Sequence, residues 1–220
     1  MASKMYSDVS ALNEIVSRSV KNTDINDHLT TIFTEALVVK PKLVVELGVR
    51  TGESTYVLER VAGLCDAHFL SIDICDCSQV SDYRKWTFVC QNDIEFAAGF
   101  PEWCRSKDIA PNIDVLFIDT SHLYDHTVKE INAYFPFLSE RAAVIFHDTN
   151  LNYLNFRKNG SLCLGAWNNK RGVIRAIEEF FGARFDEKRD FVALQKGWLI
   201  KHYAYCNGLT VLRKNFHCGG

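Results

Sequence analysis

The chain has 220 residues, 47% hydrophobic and 24% charged, which suits one globular domain with a buried core and excludes a fibrous or disordered chain. Its formal net charge of −2 lacks the basic imprint of a nucleic-acid or anionic-membrane surface, so neither partner is expected. Residues Met1 to Ser10 lack the apolar stretch of a secretory signal and no window approaches a membrane span, so a cytoplasmic protein with eight reduced cysteines is expected.

Val9, Leu12, Ile15, Val16 and Val20 fall at helical spacing and predict a helix from Ser7 to Val20. Ile25, Leu29, Ile32, Phe33, Leu37 and Val38 predict a second helix from Asp24 to Val39, with Asp24 as its N-cap and Pro41 as its stop. Residues 1–40 thus form a helical extension of the domain that occupies 41–220. It either covers the functional site or makes a homodimer contact.

From Lys42 the pattern alternates. Strands are predicted at Lys42 to Leu47, His68 to Ile74, Trp86 to Gln91, Ile113 to Ile118 and Ala142 to Phe146. Between them lie helices at Glu53 to Ala62, Asp93 to Trp103 and Tyr124 to Leu138. This is the signature of an α/β fold with a doubly wound, mostly parallel sheet. After a polar and aromatic stretch, a helix is predicted at Gly172 to Phe181. Two strands follow, Phe191 to Gln195 and Ala204 to Arg213, with Asn207-Gly208 as a turn or bulge. Cys75-Asp76-Cys77 has no second pair to complete a zinc site and is read as free thiols.

The first strand ends Val44-Val45-Glu46-Leu47-Gly48 and continues through Gly52 and Ser54 into a helix. Glycine permits main chain to pass close beneath a ligand, and the free N–H groups of the helix start suit a ligand carboxylate. Glu46 is placed to hold a ligand ammonium, directly or through water. Asp73 ends the second strand, where an acceptor for ribose hydroxyls belongs, and Asp93 follows the third, within reach of an adenine amino group. An ordinary tight turn and solvated strand ends would explain these features singly; three of them after three separate strands point to a nucleoside.

The fourth strand runs out into Asp119-Thr120-Ser121-His122, and the fifth into His147-Asp148-Thr149-Asn150. Two carboxylates, imidazoles and an amide oxygen at adjacent strand ends suit a divalent cation. Asp119, Asp148, His147 and Asn150 are its candidate ligands, and His122 is the candidate base because imidazole exchanges protons near neutral pH. Each has a plainer reading. Asp119 contacts a cofactor without metal, His122 caps the helix near Tyr124, and His147 is a core histidine.

The acid-x-Gly-x-x-x-Gly run at 46–52, with Asp73, resembles the S-adenosylmethionine (SAM) motifs of class I methyltransferases. The D-x-x-H-x-Y run at 119–124, followed by His147-Asp148, resembles the metal-dependent small-molecule O-methyltransferases, macrocin-type sugar enzymes and, more distantly, catechol enzymes. The resemblance implies a seven-stranded sheet of order 3-2-1-4-5-7-6 with strand 7 antiparallel. It implies SAM bound by Glu46, Gly48, Gly52, Ser54, Asp73, Asp93 and Asp119, and Mg2+ or another divalent cation on Asp119 and Asp148. It also implies catalysis by Asp119 and His122, and methyl transfer to a hydroxylated small molecule of sugar, phenolic or other natural-product type. His147 departs from those sugar enzymes, which place an acid there. The segment Leu151 to Arg171 is expected to line the acceptor pocket, with Tyr153, Phe156 and Trp167 stacking on it. A nicotinamide-dependent oxidoreductase is the enzyme alternative, although G-x-G-x-x-G is absent, and a non-catalytic SAM-binding protein is the other.

Overall fold

The structure, a computed structural model, describes residues 2–151, 155–156, 162–163 and 171–214. Its main sheet contains β1 (Leu43–Leu47), β2 (His68–Asp73), β3 (Trp86–Cys90), β4 (Ile113–Ile118), β5 (Leu138–His147), β8 (Phe191–Gln195), β9 (Trp198–Tyr203) and β10 (Leu209–Lys214). The two-residue strands β6 (Asn155–Phe156) and β7 (Leu162–Cys163) form a separate ladder. Tyr153 and Trp167, and the side chain of Phe156, lie outside the described residues.

The strand order is β3-β2-β1-β4-β5-β10-β9-β8. β1 to β5 pair in parallel, and β10 runs antiparallel to β5 and to β9. This is the expected order with an eighth strand, β8, on the far edge. The two expected C-terminal strands are in fact three. Trp198–Tyr203 alternates buried and half-buried residues, as a one-sided strand does, and joins β8 through Lys196 and Gly197. Both of those residues have positive φ, 48° and 77°, the backbone that a two-residue hairpin requires.

Two helical layers cover the sheet. α1 (Ala2–Ser19), α2 (Leu29–Val39) and α3 (Glu53–Cys65) pack on Val44, Phe69, Val115, Phe117, Ile145 and Val211. The opposite face, including Val45, Leu70, Leu116, Val144 and Leu212, is covered by α4 (Asp93–Ala97), α5 (Phe100–Ser106), α6 (Tyr124–Tyr134) and a helix over Gly172–Phe181, here α7. Burial on both faces is why β1 and β4 read as continuous apolar runs rather than alternating ones. Ile15, Leu29, Ile32 and Phe33 are fully or almost fully buried, so the N-terminal extension is itself a layer of the core.

Of the boundaries that differ from the sequence reading, three have a local cause. The helix expected over 93–103 is two, broken at Gly99, with Pro101 in the first turn of the second. Pro136 ends α6 early, in a single 3-10 turn, and β5 then starts at Leu138 rather than Ala142. Asp24 does not cap a helix: Ile25 precedes a 3-10 turn over Asn26–His28, and Asp24 pairs with Arg50. Among the described residues no helix is long and apolar enough to cross a membrane, and Cys75, Cys77, Cys90, Cys104 and Cys206 are free thiols.

Candidate active site

The carboxyl ends of the parallel strands border a cavity of about 550 Å³, within the span of roughly 300–1,000 Å³ usual for small-ligand sites. Gly48, Ser54, Asp73, Asp93, Asp119, His122 and Asp148 line it together.

Gly48 has φ +87°, and a Cβ there would stand 2.0 Å from the Asp119 carbonyl oxygen. The turn after β1 therefore crosses directly against the end of β4, and only glycine permits the crossing. Gly52, at φ +80°, packs under the Val80 side chain, which an added Cβ would meet at 2.2 Å. Gly52 does not border the cavity, so its constraint comes from the protein's own packing rather than from a ligand.

Glu46 does not border the cavity either. It is fully buried and accepts hydrogen bonds from the hydroxyls of Ser54 (2.7 Å), Thr55 (2.9 Å) and Ser71 (2.6 Å). Burial pushes its carboxyl up to about 7, against the pull of those hydroxyls. It ties β1, β2 and the start of α3 together beneath the turn, and Ser54 is what stands between it and the cavity. Asp73 accepts from the main-chain N–H groups of Val49 (2.8 Å), Arg50 (3.1 Å) and Cys75 (2.8 Å), so it shapes the turn while lining the cavity.

At the third strand end, Asn92 caps α4 by accepting from the N–H groups of Ile94 and Glu95. Asp93 faces His126 of α6, 3.1 Å from Nε2, and Glu130 lies beside them. Burial pushes the Glu130 carboxyl up to about 8. Neither His126 nor Glu130 stands out in sequence, because only the packing of α4 on α6 brings them to Asp93.

Between β4 and β5 the candidate ligands converge. His122 Nε2 lies 3.1 Å from Asp119 Oδ1 and 2.9 Å from Asp148 Oδ2. His147, only 1% exposed, places Nδ1 3.3 Å from Asp119 Oδ2 and 3.6 Å from Asp148 Oδ1. Both His122 and Asp148 have left-handed backbone, φ 58° and 56°, an arrangement that surrounding structure must hold in place. His122 does not cap α6, whose N-terminus receives no side-chain hydrogen bond.

Burial pulls the His122 imidazole down, but its bonds to Asp119 and Asp148 outweigh this and raise it to about 10. Burial likewise lowers His147, and the charges of Asp148 and Asp119 carry it up to about 9. Burial works to raise Asp119, yet the two imidazoles hold it well below the usual carboxylate range.

Asn150 is not brought to this cluster. Its side-chain amide donates to the Ala204 carbonyl at 2.6 Å, and its side-chain oxygen accepts from Lys188 Nζ at 3.3 Å. Asp119 and Asp148 fit a divalent cation: with His122, rather than the expected His147, they offer atoms within 4.8 Å of one another. Asp148 Oδ1 is also buried without a hydrogen-bond partner.

The N-terminal extension reaches the same region. His28 is fully buried, stacks on Tyr205 with centroids 4.6 Å apart, and stands edge-on to His147 at 5.8 Å. Burial lowers it to about 4, with the neighbouring His147 adding to the effect.

Residues 45–149, which hold the turn after β1 and every one of these strand ends, match the family model of a methyltransferase domain. The match makes this stretch of the chain a methyltransferase domain. The chain is similar in fold to the MycE methyltransferase of the mycinamycin biosynthetic pathway, solved with Mg, SAH and mycinamycin VI. That likeness has 16% identity and a TM-score of 0.56, covering 95% of this chain and 56% of that one. The chain thus spans little more than half the length of MycE. A candidate caffeoyl-CoA O-methyltransferase from Staphylococcus aureus shares 15% identity at a TM-score of 0.59, over 89% of this chain and 85% of the other. SAH-bound PaMTH1, a Podospora anserina methyltransferase, shares 13% at 0.57, over 94% and 88%. No curated protein matches the chain in sequence. The nicotinamide reading is left without support.

Proposed function

We propose that the methyltransferase moves the SAM methyl group to a hydroxyl of a small molecule, of sugar, phenolic or related natural-product type, with a divalent cation held by Asp119 and Asp148. The observation that carries this reading is the position of His122, between carboxylates from two adjacent strands, on the wall of the cavity that also holds Gly48 and Asp73. The Mg and SAH in the MycE complex support it by analogy of fold. A small, weakly acidic protein also suits a diffusible acceptor better than nucleic acid or membrane, and a cytoplasmic setting.

When bound, SAM supplies a methyl group already activated on sulfonium, and the cation supplies positive charge that acidifies a neighbouring hydroxyl. The protein's own residues align the acceptor and take its proton. Asp119 and Asp148 would hold the cation, and His122 Nε2, 3.1 and 2.9 Å from their carboxylates, would accept the hydroxyl proton. Asp73 and the Gly48 turn form the wall for the nucleoside, and Asp119 stands where the two halves of the cavity meet. His147 stands behind both aspartates, its Nδ1 3.3 Å from Asp119 Oδ2.

The test is transfer of labelled methyl from SAM to a panel of sugars and phenols, with and without a chelator. Asp148→Asn is expected to lower turnover by at least about a hundredfold while SAH affinity stays within about threefold. Undiminished turnover in Asp148→Asn would remove the metal-assisted reading.

A further inference from the structure

A second cluster of ionisable groups stands on the cavity wall formed by α4 and α6. His126 and Glu130 are four residues apart on α6 and so share one face, opposite Asp93 at the start of α4. His126 Nε2 lies 3.1 Å from Asp93 Oδ1 and 3.6 Å from Glu130 Oε1. Asp93 is 5% exposed and Glu130 is fully buried. Two oxygens, Asp93 Oδ2 and Glu130 Oε2, are buried with no hydrogen-bond partner. Leaving such oxygens bare costs free energy, and a pair of close carboxylates repels. The Thr120 hydroxyl donates to Glu130 Oε1 at 2.6 Å, and the Tyr134 hydroxyl donates to the Asp93 carbonyl at 2.6 Å, so both chain segments are fixed.

From this geometry we propose that Asp93, His126 and Glu130 hold a divalent cation, a second one distinct from that assigned to Asp119 and Asp148. Ligand atoms at about 2.0–2.1 Å from a tetrahedral ion stand roughly 3.3–3.4 Å apart, and the two separations here, 3.1 and 3.6 Å, bracket that value. All three residues offer atoms within 4.8 Å of one another. One imidazole with two carboxylates favours a borderline ion such as Zn2+ over Mg2+. The site clamps α4 to α6 and turns Asp93 toward the ion, so an adenine amino group in this cavity meets the Asn92 and Gln91 edge of the wall instead. The competing account is a proton shared between Glu130 and Asp93, with no ion.

Equilibrium dialysis against Zn2+ separates the two accounts, with metal counted per chain. The Asp148→Asn protein is expected to retain one tightly bound ion, and adding Glu130→Gln to it removes that ion. An Asp148→Asn protein that binds none, or one whose ion survives both Glu130→Gln and His126→Gln, overturns the proposal. A second measurement needs no change at the site itself. In folded Asp148→Asn protein, Zn2+ should slow carbethoxylation of His126 at least about tenfold, as followed by peptide mapping; an unchanged rate also overturns it. If wild type and Asp148→Asn each bind one ion, the cation at Asp119 and Asp148 is refuted while this one stands, so the two readings fail separately.

Discussion

Glu46 carries a fully buried carboxyl, held by three hydroxyls. Its folded value of about 7 stands above the ordinary 4.5. Between those pH values the folded chain keeps a proton that the unfolded chain has released. The stability this proton confers is therefore complete below the unfolded value and is lost as pH rises through the folded one. Raising pH from 4.5 to 8 should cost the wild type on the order of 3 kcal/mol more than Glu46→Gln, as read from urea denaturation at both pH values. Equal slopes would show that the carboxyl is not buried as described. Gly48 makes a second claim at this scale. Gly48→Ala must accept both a left-handed φ and a carbonyl oxygen 2.0 Å from its new methyl group. A loss of at least about 2 kcal/mol is expected, and a melting curve close to that of wild type would contradict the crossing of the β1 turn with β4.

At the scale of elements, the parallel register sets Ile118 of β4 against Phe146 of β5, so the residues just beyond them, Asp119 and the His147-Asp148 pair, emerge side by side. The same logic explains the eighth strand. Its hairpin was written in Lys196-Gly197 and in the alternation of Trp198, Ile200 and His202. The extension is secured by Glu35 of α2, which accepts from Lys201 Nζ of β9 at 2.8 Å and from Arg213 Nε of β10 at 2.7 Å. Glu35→Ala leaves two cations facing each other and should cost about 1–3 kcal/mol while SAH affinity is retained. An unchanged denaturation midpoint would show that apolar packing alone holds α2.

For the whole molecule, two apolar layers close on one sheet, and the cavity opens at the carboxyl ends of its parallel strands. A ligand that binds only the folded chain must raise its stability. SAM or SAH at a hundredfold excess over Kd should add about 2.7 kcal/mol, a melting shift of roughly 5–10 °C for a domain of this size. NADH and NADPH should give none. The reverse pattern in a thermal-shift assay would contradict the assignment of the cavity to SAM.

The sequence by itself determined the alternation of strands and helices, the glycine turn after β1 and the carboxylates at the strand ends. Those signals are local: apolar periodicity within one segment, a glycine where φ is positive, an acid where an apolar run stops. Tertiary structure decided which of these side chains meet. Asp148 and Asn150 are two residues apart, yet the left-handed backbone at Asp148 sends one carboxylate to His122, while Asn150 joins the turn at Asn207-Gly208. Glu46 sits on a strand buried on both faces, so its carboxyl finds hydroxyls rather than a ligand. Asp24, His28, His126 and Glu130 reach the cavity or its lining from distant parts of the chain. No periodicity within a segment encodes such encounters, because they depend on how whole layers dock and on single backbone angles at the ends of strands.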